Sequence, residues 1–249
     1  GWLMSHKALV ALFFLFTSLG ITFSQEPGFR MYTLKSQNDL EKVFPTSWIE
    51  ILRFNRIDRV HIYKGYKIKI PLNLEDFHYN PLPATLEKYR QVPKAIVVDL
   101  PMQFLGAYQY GELKFSFPIS SGKKGFATPT GLFYIYNFEK NKRSSRYFIN
   151  NSTRPYPMDW ALQLSRSEKK YTDFFIHSRD LDGKPASHGC IGLYNEEMQK
   201  KYYGYPRKPV LMDAKTLYMW IVATDKKKMG RINGPPVLVK ILGKAPLIK

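Results

Sequence analysis

From Lys94 onward, turn-forming residues cut the chain into short runs of β-branched and aromatic residues, and this punctuation constrains the fold more than any other feature. Ile96-Val97-Val98-Asp99-Leu100 is a dense β-branched run. Phe104 to Tyr110 and Leu113 to Ile119 flank Gly111-Glu112, the arrangement of a hairpin. In its second arm Leu113, Phe115, Phe117 and Ile119 alternate with Lys114, Ser116 and Pro118, which predicts one buried face. Thr128-Pro129-Thr130-Gly131 is a turn feeding Leu132-Phe133-Tyr134-Ile135-Tyr136, and Phe174-Phe175-Ile176 is a short strand ending at His177. Asp213 caps a predicted helix through Ile221, and Val237 to Ile241 reads as a last strand. These segments predict a mainly β domain with few short helices.

Residues 25–92 read differently, as a polar and aromatic leader. Ser47-Trp48-Ile49-Glu50 has the form of a capping box, opening a helix that should stop near Asn55. Gly65-Tyr66-Lys67-Ile68-Lys69-Ile70-Pro71 then alternates like a strand closed by Pro. A helix followed by Gly-x-x-Ile-x-Ile-Pro resembles the second half of a LysM carbohydrate-binding module. The resemblance implies a small α+β segment that contacts glycan strands; the competing reading is a purely structural lead-in.

Forty-four per cent apolar residues in 249 exclude global disorder and leave room for one large domain or a moderate one with a small companion. Met4-Ser5-His6-Lys7, the apolar run Ala8 to Phe16 and Thr22-Phe23-Ser24 have the order of a secretory signal peptide over residues 1–24. That run is shorter than the roughly 20 residues of a spanning helix. The expected protein is therefore exported to the periplasm or cell envelope, with no stable membrane span after cleavage; the competing reading is an uncleaved anchor, with the apolar run extending through Ile21. The net charge of +18 fits a solvated basic surface or attraction to a polyanion. No nucleic-acid motif accompanies it, so nucleic acid is not an expected partner. Lys226-Lys227-Lys228 reads as a solvated loop.

One cysteine, Cys190, excludes an intrachain disulfide and is a candidate nucleophile. His177 lies upstream of it, and Ser187-His188-Gly189 immediately precede it. A thiol is mostly protonated at neutral pH, and an imidazole in reach can take its proton. Asp182-Gly183-Lys184-Pro185 is a turn-rich connection able to return the chain so that His177 faces Cys190. Gly189 lets main-chain amides approach an oxyanion closely. Three readings compete: zinc held by His177, His188 and Cys190, separate burial of each residue, and nucleophilic catalysis. The third is preferred, with no metal and no cofactor expected.

His177, a variable loop and Ser187-His188-Gly189-Cys190 together resemble the signature of the L,D-transpeptidase catalytic domain, the YkuD family. Gln103, Ser120-Ser121-Gly122, Thr128-Pro129-Thr130-Gly131-Leu132-Phe133, Tyr156-Pro157-Met158 and Asp213-Ala214 with Leu217-Tyr218 follow in the order such domains show, over about residues 94–242. The resemblance implies a β-sandwich domain over residues 93–242, with 243–249 as a C-terminal tail. It implies Cys190 as acyl-forming nucleophile, His177 as base, the Ser178 carbonyl as orienter of the imidazole, and amides around His188, Gly189 and Cys190 as oxyanion hole. Ser187, His188, Tyr156 and Met158 would shape the substrate site. The implied activity is peptidoglycan L,D-transpeptidation of stem peptides through a cysteine thioester. The alternatives are an L,D-carboxypeptidase using the same site, attachment of a protein to the wall, and a non-catalytic glycan-binding protein. Two departures stand out. Gly192 occupies a position where the family often has Arg, and the Lys- and Tyr-rich stretch from Tyr194 to Leu211 is expected to form a lid, a partner surface or a decorated loop.

Overall fold

The computed structural model describes residues 25–223 and 226–247. The proposed signal segment, residues 1–24, lies outside the described residues. Chain order runs β1 (Phe29–Thr33), α1 (Asp39–Val43), α2 (Trp48–Asn55) and β2 (Lys67–Pro71). Two short 3-10 turns, Leu74–His78 and Glu87–Tyr89, then lead into β3 (Ala95–Asp99), β4 (Phe104–Gln109) and β5 (Glu112–Pro118). A long hairpin follows, β6 (Gly131–Phe148) with β7 (Pro155–Ser167), then β8 (Lys170–Ser178) and β9 (Ile191–Leu193). The chain closes with α3 (Glu196–Tyr203), α4 (Asp213–Val222), β10 (Met229–Arg231) and β11 (Val237–Leu242). Among the described residues no helix is long and apolar enough to cross a membrane.

Strands β3 to β11 form one nine-stranded sheet in the order β5-β4-β3-β11-β6-β7-β8-β9, with β10 paired to β6. The β11–β3 and β8–β9 pairs are parallel and the rest antiparallel. Strict alternation in β3 sends Ile96 and Val98 to one face and Ala95 and Val97 to the other, and all four are fully buried. The first face meets Phe133, Ile135, Leu162, Leu164, Ile176, Ile191 and Val239 in the main core, which α4 seals with Leu217, Tyr218 and Ile221. The second face is covered by Leu82, Leu86 and Tyr89 from the segment before β3. The fold is thus mainly β, as expected, and the sheet curls until its two edges meet. Just past β5, Ser120 exchanges both backbone hydrogen bonds with Gly192 of β9, at 3.0 and 2.9 Å.

The expected hairpin forms, but its single buried face does not. A bulge at Ala107/Tyr108 pairs Phe115 with Ala107 and Leu113 with Tyr108. One extra residue inverts the alternation, so Leu113 packs under the second face while Phe115 and Phe117 join the main core.

Residues 29–71 fold as β1-α1-α2-β2, with the strands antiparallel. α2 ends at Asn55 as expected, but Ser47 makes no side-chain cap and the capping box is absent. Asp213 likewise does not cap α4: the cap position is Met212, and the Asp213 carboxylate pairs with Arg53 at 2.6 Å. The core of this unit is shared, because Leu181, Tyr194 and Leu211 pack among Ile51, Leu52, Ile57 and Ile68. The stretch from Tyr194 to Leu211 is therefore neither a lid nor an unpacked loop. Its helix α3 buries Glu196, Met198 and Gln199, and Arg59 clamps Glu196 with two bonds of 2.7 and 2.6 Å. Lys226, Lys227 and Lys228 are exposed.

Candidate active site

The seam where the sheet closes carries the Ser187-His188-Gly189-Cys190 turn. Each early motif residue has a structural task there. Gln103 donates to Ser121 Oγ at 2.8 Å and accepts from the Ser121 amide at 3.0 Å. Ser121 in turn accepts from the Ser187 amide at its carbonyl, 3.0 Å, and the Lys123 amide donates to the Ser187 carbonyl at 2.9 Å. Thr128 Oγ1 accepts from the Gly122 amide and donates to the Gly189 carbonyl, both at 2.9 Å. Two glycines are obligatory. A Cβ at Gly122 would lie 1.9 Å from the Phe126 carbonyl oxygen, and Gly189 (φ +116) would place one 2.4 Å from the Phe174 ring.

His177 is the penultimate residue of β8 and is 4% exposed. Its Nδ1 is 2.6 Å from the Ser178 carbonyl, so Nδ1 carries the proton and Nε2 is the available lone pair. Burial drives the imidazole down to about 4. Cys190 Sγ accepts from the Phe175 amide at 3.4 Å and lies 4.0 Å from the Asp173 carbonyl. Burial raises the thiol above its ordinary value, while Arg179 and Lys142 oppose that rise. No direct thiol–imidazole hydrogen bond is formed among the described residues. Such bonds are often loose before substrate binds.

One cavity of about 830 Å³ is lined by Cys190, His177, Ser187, His188, Tyr156 and Met158. Ser178 and Gly189 stand behind it, orienting the ring and closing the turn. The structure therefore brings the expected site residues together, though not in equal contact with the cavity. Ser187 Oγ donates to the Cys190 carbonyl at 2.5 Å and accepts from the Gly189 amide at 3.1 Å. The Gly189 amide is thus occupied, whereas the Cys190 amide has no acceptor among the described residues. The His188 ring stacks on Tyr147 (3.9 Å, 11°) and meets Phe126 edge-on, 4.6 Å away. Tyr156 donates to Asp180 Oδ2 at 3.1 Å, and burial raises its phenol well above the ordinary value.

Sequence reasoning missed the outer half of the β6–β7 hairpin, which brings Lys142, Arg143, Arg146 and Tyr147 to the cavity rim. Its Lys-Asn-Lys-Arg-Ser-Ser run carries no strand signal. Arg179, inside the His177–Cys190 connection, was also missed; its only signal was closeness to His177. No three His, Cys, Asp or Glu side chains converge as metal ligands among the described residues.

Residues 93–228, more than half of the chain, match the model of the L,D-transpeptidase catalytic domain, YkuD. Among solved structures, an L,D-transpeptidase (Yku) from Stackebrandtia nassauensis is 16% identical, with 92% of this chain and 99% of that chain covered and a TM-score of 0.48. L,D-transpeptidase 1 of Mycobacterium tuberculosis is 17% identical over 60% of this chain and 63% of its own, TM-score 0.38. An L,D-transpeptidase from Xylanimonas cellulosilytica is 18% identical, with 73% of each chain covered and a TM-score of 0.40. No curated protein is significantly similar to the chain.

Proposed function

The chain belongs to the L,D-transpeptidase catalytic-domain family, and from that premise we propose that it is an exported peptidoglycan L,D-transpeptidase working through a Cys190 thioester. The observation that carries the reading is that Cys190 and His177 line one cavity, with the imidazole held through Nδ1 so that Nε2 is its free base. In the first step His177 Nε2 takes the thiol proton as Sγ attacks the carbonyl of the third, L-configured residue of a tetrapeptide stem. The Cys190 amide, free of an internal acceptor, donates to the developing oxyanion. The C–N bond to the terminal D-Ala breaks, the proton returns to the leaving amine, and a thioester remains. An amine from a second stem then resolves the thioester and gives a cross-link. Burial keeps His177 neutral at working pH, so its Nε2 lone pair is available for the thiol proton. Contact of residues 29–71 with glycan strands belongs to the same proposal.

Purified tetrapeptide muropeptides incubated with the protein and read by mass spectrometry test this. Cross-linked dimers are expected. Tripeptides without dimers would replace transpeptidation with L,D-carboxypeptidase activity, and unchanged substrate would leave a binding protein.

A further inference from the structure

Arg179 follows His177 by two residues, Gly192 follows Cys190 by two, and the parallel register pairs His177 with Gly192. A Cβ at Gly192 would lie 2.5 Å from Arg179 Cβ, 2.8 Å from Cδ and 3.1 Å from Cγ. The arginine stem therefore lies flat on the glycine backbone, and any larger residue at 192 would displace it. Its guanidinium donates to the Asp180 and Ala186 carbonyls, both at 2.9 Å, and reaches Ser120 Oγ at 3.5 Å. Those carbonyls sit at the two ends of the connection between His177 and Cys190, so they fix the group in place as well as closing the loop.

The other basic groups of the cavity are already matched. Lys142 faces Glu139 at 3.0 Å, Arg143 faces Asp159 at 2.6 Å and Arg146 faces Asp173 at 3.9 Å. Arg179, half-buried in the same cavity, meets only neutral oxygens among the described residues. A fixed guanidinium with neutral partners leaves its charge unneutralised for an incoming anion, and its Nε–H and one Nη2–H are not used by those oxygens. Its charge reaches the reacting atoms, since it favours the Cys190 thiolate and opposes protonation of His177 and His188.

We propose that Arg179 is the carboxylate-binding residue of the site and seats a free carboxylate of the donor peptide beside Cys190. The identity of that donor rests on the acyl-transfer reading above; the anion site does not. The two free carboxylates nearest the attacked carbonyl of such a donor are its C-terminus and, where the third residue is a diamino diacid, that residue's side chain. Either way the enzyme selects acidic over amidated donors.

Two measurements on the full chain test this. The first compares alkylation of Cys190 by iodoacetate and by iodoacetamide, scored as a ratio so that overall thiol reactivity cancels. The ratio should fall about fivefold or more in Arg179→Gln, recover largely in Arg179→Lys, and stay within about twofold of wild type in Lys142→Gln. An unchanged ratio in Arg179→Gln, or an equal fall in Lys142→Gln, would overturn the site. The second needs only wild-type protein: kcat/KM for tetrapeptide donors as the free acid, the C-terminal amide and the third-residue side-chain amide. One amide should lower kcat/KM about tenfold or more, and that amide identifies the bound carboxylate. Equal values for all three would overturn carboxylate selection. No turnover of any donor, with the iodoacetate preference intact, would remove the peptide reading and leave the anion site standing.

Discussion

Cys190 and His177 are both held neutral in the free site, because burial raises the thiol and drops the imidazole to about 4. Alkylation of Cys190 by iodoacetamide should therefore keep rising with pH through the ordinary thiol value of 9.0. A rate plateau below neutral pH would instead reveal a standing thiolate–imidazolium pair. The same burial has a stability consequence with a definite sign. Between about 6.5 and about 4 the unfolded chain binds a proton at this histidine and the folded chain does not. Stability from this residue is thus complete above that window and declines as pH falls through it, by about 3 kcal/mol in all. Chemical denaturation at several pH values should show His177→Gln losing less stability than wild type on acidification. His61, whose imidazole is shifted upward beside Asp58, is present in both proteins and cancels. Equal acid sensitivity of the two would contradict a buried neutral His177. At this scale the sequence pointed to the residues that meet at the seam: Cys190, His177 and Ser187 line one cavity and Gly189 closes the turn beside it, their roles belonging to the proposal above. Arg179 was invisible because its role arises from the missing side chain at Gly192, which only the β8–β9 register brings beneath it.

The elements around the seam depend on Thr128, whose hydroxyl both accepts from Gly122 and donates to Gly189 in a site 4% exposed. Thr128→Val keeps the shape and removes the hydroxyl. It should cost about 1–3 kcal/mol in denaturant unfolding and lower kcat more than it raises KM, because the Cys190 turn loosens. Unaltered stability and turnover would mean the turn is held by its other bonds. Strands with strong β-branched patterns, such as β3 and β11, were legible near their true bounds, and β8 only over its last residues. β6 was legible only over its first residues, and β7 was not legible at all. The outer half of β6 is charged and mostly solvent-facing, and the pairing there is irregular, with Trp160 of β7 at φ +60 and the register broken between Arg143 and Phe148. Hairpin pairing rather than local propensity makes them strands.

Across the whole molecule, the unit at residues 29–71 and the sheet domain are joined by buried charge as well as by a common apolar core. Arg59 (side chain 6% exposed) holds Glu196 (0%), whose Oε2 also accepts from the Val210 and Leu211 amides at 2.6 and 3.0 Å. Asp58 accepts from the Leu181 amide and from Gln199 Nε2, each at 2.7 Å, anchoring the loop that follows His177. Arg59→Met should destabilise the protein by about 3–5 kcal/mol, because Glu196 is left buried without its partner. Calorimetry of the wild type should show one transition, since neither part buries its own surface alone; two separated transitions would contradict the shared core. None of this was legible in the sequence, where residues 25–92 read as a separable leader. Contacts between Arg59 and Glu196, far apart in the chain, leave no local pattern.

The proposed chemistry depends above all on Cys190 carrying the acyl group. Rapid quenching with tetrapeptide donor followed by peptide mapping tests it most directly. A thioester on the Cys190 peptide with the mass of the donor minus D-Ala is expected, absent in Cys190→Ala along with D-Ala release. Continued release of D-Ala by Cys190→Ala, with no adduct on the wild type, would contradict it.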